Sequence, residues 1–398
     1  MASKANINPA LLRWAREQAG LTQVGAAEKA SIGGTRQGTP AERLDDFERG
    51  RDLPSPTQLK ALAKTYRRPL ITFYLRSPPA SDSAIPDFRT LADRPIGEQG
   101  LLLGTLLRRV RARQQEVREI LLEDEEPRRR PSFVGKFSAD VDFAEVLLDI
   151  RDTLQISPGQ QKDVRDQDDF FRLLRRNTEA AGIFVQLAGD LGSWHTAIAP
   201  EEFRGFALVD DLAPFVVVNA NDAKAAYPFT LVHEIAHIWL GESGVSNLSP
   251  FEPAGDTRRI EQICNRIAAE FLVPQQMIAR EWGAIPRTNA AEAVAALAGD
   301  WRVSRAVVAR RLKDLGQISE ETWRRLYSTY QEEWKHRAQR LRDQEGGPSY
   351  YVTARSRLGN SLIKTVLGAV DAGTVTYTRA SRILGIHAKA FDGLREAR

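Results

Sequence analysis

The chain has 398 residues, of which 42% are hydrophobic and 27% charged, and a formal net charge of +4. This is a globular composition with enough chain for two to four domains. It argues against a membrane-spanning protein, because no apolar run reaches the roughly 20 residues a bilayer needs, and against a disulfide framework, because there is one Cys.

Residues 1–76 are expected to form an all-α first domain. The opening stretch, MASKANINPALLRWAREQAG, lacks the apolar core of a secretion signal, so a cytoplasmic setting is expected. Asn8-Pro9 reads as a cap followed by a first-turn proline, and Gly20 as the stop. LTQVGAAEKASI then reads as a second helix, and ERLDDFERGRDLPSPTQLKALAKTY carries Glu48, Gly50, Pro54, Leu59, Leu62 and Ala63. These pieces resemble an XRE-type (Cro/C1-like) helix-turn-helix domain. By that resemblance Thr22 caps the second helix, Gln23 lies near a phosphate, and Arg43 on the third helix is a further DNA contact. Such modules bind double-stranded DNA as dimers, so a homodimer is admitted. One departure stands out: SIGGTRQGTPAER, 31–43, is too long for a compact turn of three or four residues. The candidate recognition helix, 41–49, also carries Glu42, Asp45, Asp46 and Glu48, and carboxylates repel phosphate. The alternative is a five-helix module used for protein contact.

Residues 77–160 read as linker and helical region. The stretch 68–89 is Pro-rich and irregular, and 97–125 reads as one long helix. Arg108, Arg109, Arg111 and Arg113 lie on it, either facing DNA or, more commonly, forming a solvated face. A further helix is expected over 143–154.

Residues 161–318 are expected to be an α+β domain. GIFVQLAG, Phe206–Val209 and Phe215–Asn219 read as strands. The stretch PFTLVHEIAHIWLG, 228–241, holds His-Glu-x-x-His in an apolar helical rhythm. Positions i and i+4 share a helix face, so His233 and His237 can point at one metal ion. Glu234 is placed to take a proton from water. A catalytic zinc needs a third protein ligand, and EQICNRIAAEFLVP, 261–274, reads as a second amphipathic helix carrying Glu261 and Glu270.

HEIAH followed by E-x-x-x-N-x-x-A-A-E-F-L-V-P resembles the ImmA/IrrE family of zinc metallopeptidases. That resemblance implies Glu261 as third ligand, Asn265 as brace for a ligand His, and Glu234 as catalytic base, with Glu270 as the competing ligand. Cys264 stands where the family more often has Ala and reads as a small core residue, with ligand or redox handle as alternatives. The family strand beside the site, either Phe215–Asn219 or Ile183–Leu187, is expected to cradle substrate by strand addition. His195 and Tyr227 are weaker candidates for steadying an oxyanion.

WRVSRAVVARRLKDLGQIS, 301–319, reads as a helix capped by Ser304, with Arg302, Arg305, Arg310 and Arg311 as a second candidate DNA contact or a support for the core. Residues 319–398 read as a helical C-terminal region with turns at Gly373 and Gly385, and no chemistry is assignable to it.

The expected fold is therefore multidomain and mainly α, with an α+β zincin-like metallopeptidase domain, an N-terminal helix-turn-helix domain and a C-terminal helical region. The resemblance implies a zinc endopeptidase regulator that cleaves a repressor or antitoxin under stress, coupled to DNA binding. The alternative is a DNA-binding transcriptional regulator or antitoxin whose metal domain senses or scaffolds without proteolysis.

Overall fold

A computed structural model describes residues 4–34, 38–78, 98–124, 130–138, 140–246, 257–285, 289–342 and 349–396. The chain forms two compact units: Met1–Arg109 with Asp190–Ile198, and Val110–Gly189 with Ala199–Arg398. The division between Arg109 and Val110 falls inside one long helix. No helix among the described residues is long and apolar enough to cross a membrane.

The first unit contains α1 (Pro9–Gln18), α2 (Gln23–Lys29), α3 (Pro40–Glu48), α4 (Pro56–Thr65) and a 3-10 helix, Leu70–Tyr74. Each α-helix starts where the sequence supplies a cap. Asn8, Thr22, Thr39 and Ser55 accept the first free amides, and Thr39–Glu42 and Ser55–Gln58 close capping boxes. Leu11, Leu12, Leu44, Phe47, Leu59, Leu62 and Phe73 form the core. Phe73 corrects the expectation of a linker from residue 68. Its side chain is fully buried and its carbonyl accepts from Asn8 N at 2.9 Å, so the chain to residue 75 belongs to the domain. The remainder of that expected linker, from 79, lies outside the described residues.

The second unit takes the latter part of α5 (Glu98–Glu123), then α6 (Phe143–Leu154), α7 (Pro158–Asp163) and α8 (Gln167–Ala180). Next come β1 (Phe184–Leu187), β2 (Gly205–Leu208), β3 (Phe215–Val218), α9 (Tyr227–Trp239), β4 (Gly244–Ser246) and α10 (Thr257–Leu272). Helices α11 (Gln275–Ala284), α12 (Ala290–Asp300), α13 (Arg305–Asp314) and α14 (Glu320–Arg342) follow. The last are α15 (Tyr350–Leu358), α16 (Asn360–Asp371), α17 (Tyr377–Leu384) and α18 (Phe391–Glu396). The sheet order is β1-β3-β2-β4; β1 pairs parallel with β3, and the other pairs are antiparallel.

Both faces of the sheet are covered, which is why its strands read as unbroken apolar runs rather than alternating ones. On one face Val185, Leu187, Ala207, Val216 and Val218 share a core with Leu231, Ile235 and Trp239 of α9. On the other lies α5. Gln114 donates to the carbonyls of Leu208 and Ala213, both at 2.9 Å, and Arg113 to Gln186 Oε1 at 2.9 Å and Ile383 O at 2.6 Å. Arg108 and Arg109 also donate to backbone carbonyls, of Arg67 and Leu191. These three arginines of the expected solvated or DNA-facing row are thus tied to protein.

Arg16 and Glu48 form a largely buried ion pair in the first unit. The guanidinium donates to Glu48 at 2.6 and 3.0 Å and to Leu21 O at 2.9 Å, while Gln23 adds a bond to Glu48 at 3.2 Å. Removing one partner of a buried pair strands the other charge. Arg16→Met is expected to destabilise this unit by about 3–5 kcal/mol in urea unfolding, with Arg16→Met/Glu48→Leu recovering most of it. A loss under about 1 kcal/mol, the range of a surface pair, contradicts this.

Candidate metal centre

The apolar rhythm that made α9 legible also buries it. His233 and Glu234 have no exposed surface, and His237 is 3% exposed. The helix packs across β2 and β3 and beside α10. This brings Glu261, in the second turn of α10, against the two imidazoles. Glu261 Oε2 lies 3.2 Å from His233 Nε2 and Oε1 lies 3.3 Å from His237 Nε2. The two Nε2 atoms are 3.1 Å apart. A tetrahedral zinc with ligands at about 2.0–2.1 Å has ligand atoms about 3.3–3.4 Å apart. The three edges match that span, and two nitrogens with one carboxylate oxygen is a zinc donor set. These three residues are the His, Cys, Asp and Glu grouping of the described residues close enough to hold one ion.

The electrostatics suit the same use. Burial drives His233 toward its neutral, metal-binding form, with its hydrogen bonds to Glu261 and Asn265 opposing it. Burial alone would raise the Glu261 carboxyl; the two imidazoles outweigh it and hold the group well below the usual carboxylate range. Asn265, one turn beyond Glu261, reaches the His233 ring. Glu270 is turned to another use: it pairs with Arg311 and accepts from Gln275 N at 3.0 Å. Cys264 is fully buried in the core, and burial, then the charges of Glu261 and Glu234, push its thiol well up. It is an inert core thiol.

Other sequence candidates fall elsewhere. The Tyr227 hydroxyl donates to Ala220 O at 2.9 Å, fixing the start of α9. His195 belongs to the first unit, where its ring stacks on exposed Trp194. Thr22 caps α2. Gln23 donates to Asp45 at 3.0 Å as well as to Glu48, and Arg43 to Gly33 O at 2.9 Å. Arg302 and Arg311 bind backbone carbonyls, Arg305 pairs with Glu333 and Arg310 with Asp314, so α13 acts as a support for α10 and α14.

The expected cradle strands need correction. β3 is interior, bonded on both sides, so it has no free edge. β1 is an edge, but its Val185 carbonyl accepts from Arg175 at 2.7 Å, and Gly359, between α15 and α16, packs against the same atom. Among the described residues the other edge is β4, a strand too short to show as a period in the sequence.

One residue beside the site escaped notice. A Cβ on Gly205 of β2 would lie 2.6 Å from Thr230 Cγ2 and 2.8 Å from Glu234 Oε1. Glycine there lets the Glu234 carboxylate lie flush on the strand; the Gly205-Phe206 start of a strand was the available signal. Gly205→Ala is expected to displace Glu234 and to cost about 1–3 kcal/mol by overpacking. Thermal denaturation beside wild type checks this, and an unchanged Tm contradicts it.

Comparison with known families agrees with this geometry. Residues 188–313 match the peptidase family described as the IrrE N-terminal-like domain, and residues 10–70 match a helix-turn-helix domain. No curated protein and no solved structure matches the chain. The chain therefore carries an IrrE-like peptidase-family domain fused to an N-terminal helix-turn-helix domain.

Proposed function

We propose that this chain is a zinc-dependent endopeptidase regulator that cleaves a partner repressor or antitoxin and is coupled to DNA binding. The observation that carries the proposal is the His233–His237–Glu261 cluster, three donor atoms held at 3.1–3.3 Å in a buried site with Glu234 beside it. In this reading His233, His237 and Glu261 hold the ion and Asn265 orients His233. Zinc bound there supplies Lewis acidity, lowering the pKa of water to about 7 and polarising a carbonyl. Glu234 takes the proton of the water whose oxygen adds to the scissile carbonyl carbon. It then returns that proton to the leaving nitrogen as the C–N bond breaks. The substrate segment adds as a strand on the β4 edge. A reducing cytoplasm suits a chain whose single Cys is buried.

DNA binding by the first unit gains support from its charges. The four carboxylates that made α3 an unpromising reader all have partners. Glu42 is held in the capping box, Asp45 by Gln23, Arg49 and Arg51, Asp46 by Arg51, and Glu48 by Arg16. Three arginines thus offset much of the charge of Asp45, Asp46 and Glu48, while Glu42 keeps its charge, so α3 presents less repulsion to phosphate than its sequence suggests.

Glu234→Gln is expected to keep zinc and DNA binding while cleavage of the partner falls at least about 100-fold, the scale of a lost general base. Cleavage that persists in Glu234→Gln contradicts the peptidase reading. If no cleavage is seen with wild type but salt-sensitive, sequence-specific DNA binding remains, the non-proteolytic regulator is favoured.

A further inference from the structure

His237 lies in the last turn of α9, where a helix is least secure. The last four carbonyls of a helix have no partner within it, and helix ends fray. Here Ala236 O accepts from Leu240 N and His237 O from Glu242 N, both at 3.0 Å. The next two carbonyls draw donors from outside the helix. Gly135 N donates to Ile238 O at 2.9 Å, where Gly241 N also donates at 3.1 Å, and Phe137 N donates to Trp239 O at 3.1 Å.

The same short segment grips the final side chain of α9. The Phe133 ring stacks on Trp239 with centroids 4.0 Å apart and planes 6° from parallel. The Trp239 indole donates to Asp149 Oδ2 of α6 at 2.7 Å, and Lys136 pairs with the other oxygen of Asp149. The fit is close. Gly135 and Gly241 both have left-handed φ, +62° and +73°, and a Cβ on Gly241 would come within 3.1 Å of Gly135 Cα. All of these groups except Trp239 and Gly241 lie outside residues 188–313, the extent of the peptidase-family match.

We infer that Phe133–Phe137 is a strap which, with Asp149, positions His237 for metal binding. The inference rests on the zinc reading above. The strap completes the last turn of α9, so the His237 ring is already ordered when an ion arrives. Without it, ordering that turn draws on the free energy of metal binding and weakens affinity. His233 sits one turn earlier, inside the helix, and does not depend on the strap. Asp149 acts through Trp239 and Gly241 through the backbone of the strap; both are positioning residues.

The test uses the full chain with Asp149→Leu, Asp149→Asn, Gly241→Ala and Trp239→Phe. Zinc affinity is read by competition with a chelator, and amide exchange over residues 237–242 is read on the metal-free protein. Asp149→Leu and Gly241→Ala are expected to weaken zinc binding about 10-fold or more and to speed exchange in that turn. Asp149→Asn, which keeps an acceptor for the indole, is expected to stay close to wild type. Trp239→Phe, which keeps a ring to stack on Phe133 but loses the indole donor and part of the buried bulk, should fall between them and guards against a variant that fails to fold. Folded variants that bind zinc as wild type does, or an Asp149→Asn as damaging as Asp149→Leu, overturn the strap. Wild type without zinc affinity defeats the zinc reading instead; unchanged exchange in the metal-free variants overturns the strap independently.

Discussion

Two imidazoles and a carboxylate sit within hydrogen-bonding distance of one another in a site whose two histidines are all but excluded from water. Buried polar groups are costly unless partnered. Glu261 pairs with both imidazoles, and in the proposed zinc reading one cation serves all three groups at once. Much of the second unit serves to keep α9 and α10 in the register that allows this. The sheet supports α9 from below, and Gly205 gives Glu234 room against β2. At the far end of α10, three side chains from three helices satisfy its terminal carbonyls. Arg151 donates to Phe271 O at 2.5 Å, Gln161 to Leu272 O at 2.8 Å and Arg311 to Val273 O at 3.0 Å. Two of these are cations at a helix C-terminus, where the dipole favours them. Helices α9 and α10 are therefore each closed by groups from elsewhere in the chain.

The first unit solves a different electrostatic problem. A helix with four carboxylates is a poor partner for DNA, yet each carboxylate is engaged within the unit. The buried Arg16–Glu48 pair also ties α1 to α3, and Gln23 ties α2 to α3. The connection 30–39 between α2 and α3, longer than a compact turn, is the feature that still separates this domain from the simplest helix-turn-helix pattern.

The parts of this fold that were legible in the sequence are those that local chemistry writes. Caps at Asn8, Thr22 and Ser304, the left-handed stops at Gly20 and Gly373, and the periodic apolar faces of α9 and α10 all stood where expected. The His–Glu–x–x–His spacing put both imidazoles on one face, and the family pattern favoured Glu261 over Glu270. What stayed hidden depends on contacts between distant segments. β4 is three residues long and takes its identity from pairing with β2. The 3-10 helix at 70–74 looked like linker because the prolines at 69, 78 and 79 that flank it mask a buried Phe73. The arginines of α5 read as a solvated or DNA-facing row and those of α13 as a DNA contact or a support for the core, since sequence does not reveal which carbonyl a guanidinium will reach. The strap at 133–137 closes the helix end through the backbone amides of Gly135 and Phe137, and the partners of Phe133 and Lys136, Trp239 and Asp149, lie too far along the chain for a sequence pattern to link them.

The central claim is that His233, His237 and Glu261 hold one zinc ion. The most direct measurement is metal content by mass spectrometry on purified wild type, His237→Ala and Glu261→Ala, each checked for retained fold. About one zinc per chain is expected in wild type, the stoichiometry of a single tetrahedral site, with its loss in both variants. Wild type purified without metal, or zinc retained at full occupancy in either folded variant, would contradict it.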